Sequence, residues 1–132
     1  MERTIQRGDL LAKLLLFERS FPLARPRVNT SKQVYQPLSN QQSLISEMER
    51  YSDLHLDGFL WIDVAFYFRK MGKWEYPVSP SIGDLDNHVK GLLDNLQRLN
   101  IITNDRFIVG IHATKAWSTE DYVEVEIYGV NQ

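Results

Sequence analysis

The sequence predicts an α+β fold in which a mixed sheet packs with two main helices, and three observations predict it. Apolar residues alternate with polar ones around positions 59–68 and 122–128, the period of a half-buried strand. Two apolar stripes at helical spacing lie at 37–51 and 84–99. Gly and Pro breaks separate these segments, so the elements run β-α-β-α-β-β.

Each element has its own reason. Leu11 to Phe21 is mostly apolar and reads as the first strand. In Phe21-Pro22-Leu23-Ala24-Arg25-Pro26-Arg27-Val28 two prolines forbid helix and leave an extended edge or loop. Arg25 and Arg27 alternate there and project to the same side. From Pro37 to Tyr51, the spacing of Leu44, Ile45, Met48 and Tyr51 predicts a helix that Asn40 or Ser39 would cap. Phe59 to Phe68 is the clearest strand. Leu60, Ile62, Val64, Phe66 and Phe68 form one face, and Trp61, Asp63, Ala65 and Tyr67 form the other. That second face, with Asp63 among aromatics, is expected to be half covered, by a helix or by a partner chain.

Gly72, Pro77, Pro80 and Gly83 make Arg69 to Gly83 a loop. A helix then runs from Asp84 to about Leu99, with Val89, Leu92, Leu93, Leu96 and Leu99 as its buried stripe. Asp86, Lys90, Asp94 and Gln97 share a more polar side, and Ser81 or Asp84 is the expected cap. Phe107 to Ala113 and Tyr122 to Tyr128 complete the sheet, the last with Val123, Val125 and Ile127 alternating with Glu124 and Glu126.

The 132 residues suit a single domain, 1–132, and no internal repeat or linker divides them. No apolar run reaches the roughly twenty residues that span a bilayer. The short patch Leu10 to Phe17 is broken by Lys13 and has no cleavage pattern. With no cysteine, disulfides and thiolate metal sites are excluded, which suits the cytoplasm. The net charge of −2 hides an asymmetry. Residues 1–32 hold seven Lys/Arg against three Asp/Glu, whereas the remainder holds eight against fourteen. A basic arm beside an acidic body can neutralise phosphates, or it can be a solvated basic edge.

The chemistry concentrates in Gly83-Asp84-Leu85-Asp86-Asn87-His88-Val89-Lys90. Asp84 and Asp86 stand where a loop enters a helix, Lys90 follows Asp86 by one turn, and Asp105 adds a third carboxylate in Thr103-Asn104-Asp105-Arg106. Gathered carboxylates repel one another unless a cation lies between them, and Mg²⁺ prefers such oxygen ligands. The competing reading makes Asp84 a cap, Asp86 a first-turn residue and Asp105 a turn former, with Lys90 in an i, i+4 ion pair. Spacing alone leaves both open. His55, His88 and His112 lack metal-ligand spacing and read as surface or packed histidines. Arg69, Lys70 and Lys73 beside Trp74 mix positive charge with an aromatic, as a nucleic-acid grip or as a solvated loop.

These residues also carry a resemblance. Asp84-Leu85-Asp86-Asn87-x-x-Lys90-x-x-Leu93-Asp94, with Asn104-Asp105 after it, is similar to the core motif of the RusA-type Holliday junction resolvases. Ala24-Arg25-Pro26-Arg27-Val28 and Tyr35-Gln36-Pro37 resemble that family's N-terminal basic motif and its Tyr-x-Pro. The matches come in order over roughly residues 21–115. The resemblance implies a small α+β homodimer that binds four-way junction DNA and nicks two strands symmetrically, dependent on Mg²⁺ or Mn²⁺. It makes Asp84, Asp86 and Asp105 the metal-binding catalytic carboxylates and Lys90 the catalytic lysine. It sets Arg25 and Arg27 near DNA, and Lys32, Arg69, Lys70 and Lys73 extend that candidate surface. Members often carry Lys where Leu23 stands and Lys-Pro where Ile82-Gly83 stand, so this chain has less positive charge near DNA. Two other functions fit the same residues: a branched-DNA-binding module of this fold without activity, and a metal-dependent phosphatase or nucleotide hydrolase. The extended Arg25/Arg27 arm favours a polymer substrate.

Overall fold

The computed structural model describes residues 4–23, 27–28, 34–35 and 40–131, with the backbone alone at 27–28 and 34–35. Its elements are β1 (Arg7–Leu16), β2 (Arg27–Val28), β3 (Val34–Tyr35), α1 (Gln42–Met48), β4 (Leu60–Arg69), α2 (Leu85–Arg98), β5 (Ile108–Ser118) and β6 (Tyr122–Val130). One four-stranded sheet has the order β1-β6-β4-β5, and β2 pairs with β3 apart from it. β6 is antiparallel to both β1 and β4, whereas β5 is parallel to β4. Parallel neighbours need a crossover, which α2 supplies. The α+β architecture with a mixed sheet and two helices is the expected one.

The alternation in β4 decides where the core lies. Leu60, Ile62, Val64, Phe66 and Phe68 are 0–3% exposed and meet Val123, Val125 and Ile127 of β6 and Leu14 and Leu16 of β1. Leu44 and Met48 of α1 and Leu92 and Leu96 of α2 close over them. Each such side chain contributes about 1.5–3 kcal/mol by leaving water. The other face is half-buried under its own side chains. Trp61 Nε1 donates to Asp63 Oδ1 at 2.8 Å, Arg7 pairs with Asp63, and Tyr67 stacks on Tyr122 with centroids 4.5 Å apart. The Trp61 ring lies over Gly110, where an added Cβ would come within 2.0 Å of Cε3, so that position has room only for glycine.

Three expectations shift. β1 spans Arg7–Leu16 rather than Leu11 to Phe21. Pairing of Arg7 with Val130 draws the polar start into the ladder, while Phe17 leaves the sheet exposed and Ser20 turns inward. The first helix begins at Gln42, and Glu49–Tyr51 closes it as a 3₁₀ turn. Its preceding residue, Gln41, makes no cap bond, because its amide bridges the Phe21 carbonyl and Asn95, each at 3.0 Å. Asn40 donates to the Pro22 carbonyl instead of capping, and Pro37 and Ser39 lie outside the described residues. In α2 the fully buried set is His88, Gly91, Leu92, Asn95 and Leu96, leaving Val89, Leu93 and Leu99 only partly buried. The helix is rotated toward its polar partners: His88 bonds Ser20, and Asn95 bonds Gln41.

Candidate active site

The loop before α2 ends at Gly83, whose φ of +84° suits glycine. Asp84 follows in extended conformation as the N-cap residue, yet its carboxylate makes no capping bond. From Leu85 the helix presents Asp86, Lys90 and Asp94 at successive turns. These residues line a groove of about 610 Å³ between α2 and β5, with Leu85, Val89 and Leu93 as its apolar wall. Asp105 lines the same groove from a 3₁₀ turn, Asp105–Phe107. Two bonds hold that turn: Asn104 Oδ1 accepts from the Arg106 N–H at 3.0 Å, and the Asp105 N–H donates to Gln97 Oε1 at 2.7 Å. Gln97, on the polar side of α2, thus fastens the Asp105 turn to the helix carrying Asp86.

The ion pair between Lys90 and Asp86 does not form. The ion pairs among the described residues are Arg7–Asp63, Lys13–Glu124 and Arg50–Glu47. Asp86, Lys90, Asp94 and Asp105 therefore share the groove without a salt bridge among them. Asp84, the N-cap residue, does not line this groove. It lines a neighbouring pocket with Pro22, Leu23, Asn87 and Lys115. Side chains two positions apart at a helix start point in different directions. Among the described residues no three acidic or histidine side chains stand close enough together to hold a metal ion. The donor chemistry still fits a hard cation, because Mg²⁺ is held by one or two carboxylates with water and phosphate filling the rest. Asp86 and Asp105 offer such a pair in one groove.

His88 is the buried polar centre behind the site, at 1% exposure. Its Nε2 lies 2.6 Å from the Ile82 carbonyl and its Nδ1 lies 2.8 Å from Ser20 Oγ. The carbonyl only accepts, so Nε2 carries the proton and Nδ1 accepts from the serine. The ring also packs between Phe66 and Phe68, both centroids at 5.4 Å. Burial pushes its pKa below the ordinary 6.5, the Ile82 bond opposes that, and the Lys115 and Arg19 charges add to the lowering. The unfolded chain therefore takes up this proton first as pH falls. Stability from neutral His88 is complete above the unfolded value of about 6.5 and is lost as pH drops from there toward the folded value. Urea unfolding at about pH 5 and about pH 7.5 is expected to show wild type weakening on the acid side more than His88→Gln. Equal acid loss in both proteins would remove His88 as its source.

The basic candidates divide. Arg25, Lys32 and the side chain of Arg27 lie outside the described residues. The chain leading to Arg25 leaves from beside the site, where the Leu23 N–H donates to the Asn87 carbonyl at 3.3 Å. Arg69 ends β4, its backbone N–H held by Asp121 Oδ1. Lys70 donates to the Trp74 carbonyl and lies over the Trp117 ring. Lys73 is exposed in the same loop, next to Trp74 and Tyr76, 52% and 61% exposed. Sequence reasoning missed Arg19, which stacks on Phe21 and Phe68 and shares a pocket with Arg69 and Lys70. A lone arginine between Glu18 and Ser20 carries no spacing signal. It also missed Lys115, because β5 runs beyond the expected end at Ala113.

The site is an open groove holding three carboxylates and a lysine, with exposed cations and aromatics in the loop after β4. The family model described as "Endodeoxyribonuclease RusA" matches residues 20–128, most of the chain. The chain belongs to the RusA endodeoxyribonuclease family, a family of DNA endonucleases that resolve Holliday junctions. No curated protein matches the chain.

Proposed function

We propose that this protein is a divalent-metal-dependent endonuclease that resolves four-way DNA junctions by paired, symmetric nicks and works as a homodimer. The observation that carries this reading is the groove shared by Asp86, Lys90, Asp94 and Asp105 in a member of an endodeoxyribonuclease family. Asp86 and Asp105 would hold Mg²⁺ or Mn²⁺, and Asp84 would have to turn from the neighbouring pocket to act as the third carboxylate. Such an ion, when bound, makes water a nucleophile at neutral pH and stabilises charge on the leaving oxygen. Lys90, which forms no ion pair among the described residues, would offset charge on the scissile phosphate. Leu85, Val89 and Leu93 narrow the water's access along one wall of the groove. Arg69, Lys70 and Lys73 meet backbone phosphates, and Trp74 and Tyr76 offer faces on which unpaired bases stack. Arg25, Arg27 and Lys32 extend the contact along a junction arm. A two-fold dimer suits a two-fold junction, since each protomer then meets an opposed strand. The Trp61–Tyr67 face of β4 is the surface it would use. No described helix is long and apolar enough to cross a membrane.

The test uses purified protein with labelled four-way junction, duplex and single strand, each with and without Mg²⁺, and light scattering at micromolar concentration. The expected result is nicking of the junction alone, with Mg²⁺ alone, by a particle of twice the chain mass. Junction binding without nicking in Mg²⁺ or Mn²⁺ would reduce the protein to a DNA-binding module. A one-chain mass in protein that still resolves junctions would remove the dimer and leave the nuclease.

A further inference from the structure

Lys115 stands opposite Phe66 in the parallel ladder of β4 and β5, on the face that packs beneath α2. Its stem is partly buried, and its ammonium emerges beside the active-site loop, donating to the Gly83 carbonyl at 3.0 Å. That bond uses one of three N–H groups. None of the ion pairs among the described residues includes Lys115. A cation drawn partly out of water without a counter-charge is costly, and its field reaches His88. The ammonium opens on a pocket of about 710 Å³, a size that takes a nucleotide unit. Pro22 and Leu23 form one wall. Asn87 adds an exposed amide. Asp84 lines the same pocket but forms no ion pair with Lys115.

We propose that Lys115 is a phosphate-binding residue of the site, and that the pocket it shares with Asn87 seats one backbone phosphate of the bound DNA. This rests on the nuclease reading above. The Gly83 carbonyl aims the ammonium, and the two remaining N–H groups take phosphate oxygens. The strand held there runs past Asp84 toward the groove. A purely structural Lys115, tying β5 to the loop, would influence stability and turnover but not the number of phosphates neutralised.

The experiment measures junction affinity against salt in an Asp86→Asn background, where binding is read without cleavage. Lys115→Met keeps the stem and removes the charge. Lys115→Gln also keeps an N–H for the Gly83 carbonyl and serves if the first variant fails to fold. One lost phosphate contact is expected to flatten the log-affinity against log-salt slope by about 0.9, and Lys115→Arg is expected to restore it. Neutralising single phosphates as methylphosphonates is expected to find one position that weakens binding by the parent protein but not by the charge-free variants. An unchanged slope in the charge-free variants overturns the Lys115 assignment and leaves the nuclease reading intact. Failure of the Asp86→Asn parent to bind DNA at any salt overturns both.

Discussion

Asp86→Asn is expected to lower junction nicking by more than about a hundredfold while junction binding survives. Loss of an outer partner of a metal ligand alone costs about 10- to 100-fold, and Asp86 is proposed as a ligand itself. It is exposed in the first turn of α2 and lines the groove with Lys90 and Asp105. The amide keeps the shape of the carboxylate and loses its charge. The cost to the fold is small, about 0.3–1 kcal/mol from the lost interaction with the helix dipole. Single-turnover nicking at saturating Mg²⁺ separates the two effects. Wild-type rates in a folded variant would place the chemistry elsewhere, with Asp84 and the neighbouring pocket as the first place to look.

Phe66→Ala is expected to remove about 3–5 kcal/mol of stability, as for other large-to-small changes in a core. Phe66 is 0% exposed, sits mid-strand in β4 between Val123 of β6 and Lys115 of β5, and packs on the His88 ring. Its loss leaves a cavity between the sheet and the N-terminal turn of α2, under the loop that carries Asp84. Against a typical total of about 5–15 kcal/mol, this brings the protein close to unfolding. Urea melts are the measurement, and a midpoint shift equivalent to less than about 1 kcal/mol would contradict the packing described for that ring.

Legibility followed burial. β4 and β6 were readable because each buries one face, so the period of two is written in Leu60 to Phe68 and Val123 to Ile127. β1 was misplaced because an edge strand tolerates Arg7, Gly8 and Asp9, and only pairing with β6 reveals them as strand. The face of α2 was misjudged because burial went to His88 and Asn95, which look polar in sequence and are satisfied by Ser20, Ile82 and Gln41. Of the candidate site, the sequence shows the shared side of Asp86, Lys90 and Asp94, and the structure adds Asp105 to the same groove. The placing of Asp84 in a neighbouring pocket with Lys115 of β5 depends on long-range packing that no local spacing encodes.

β6 is the last strand in sequence, yet it lies between β1 and β4. Before it emerges, β4 and β5 have only each other, and a two-stranded ladder with a long crossover is marginal in water. During synthesis the acidic groove therefore has no scaffold until the final ladder closes on both sides. A nascent chain can thus contain Asp86 and Asp105 before the strand that completes their scaffold, and the geometry of the groove arrives with the finished sheet.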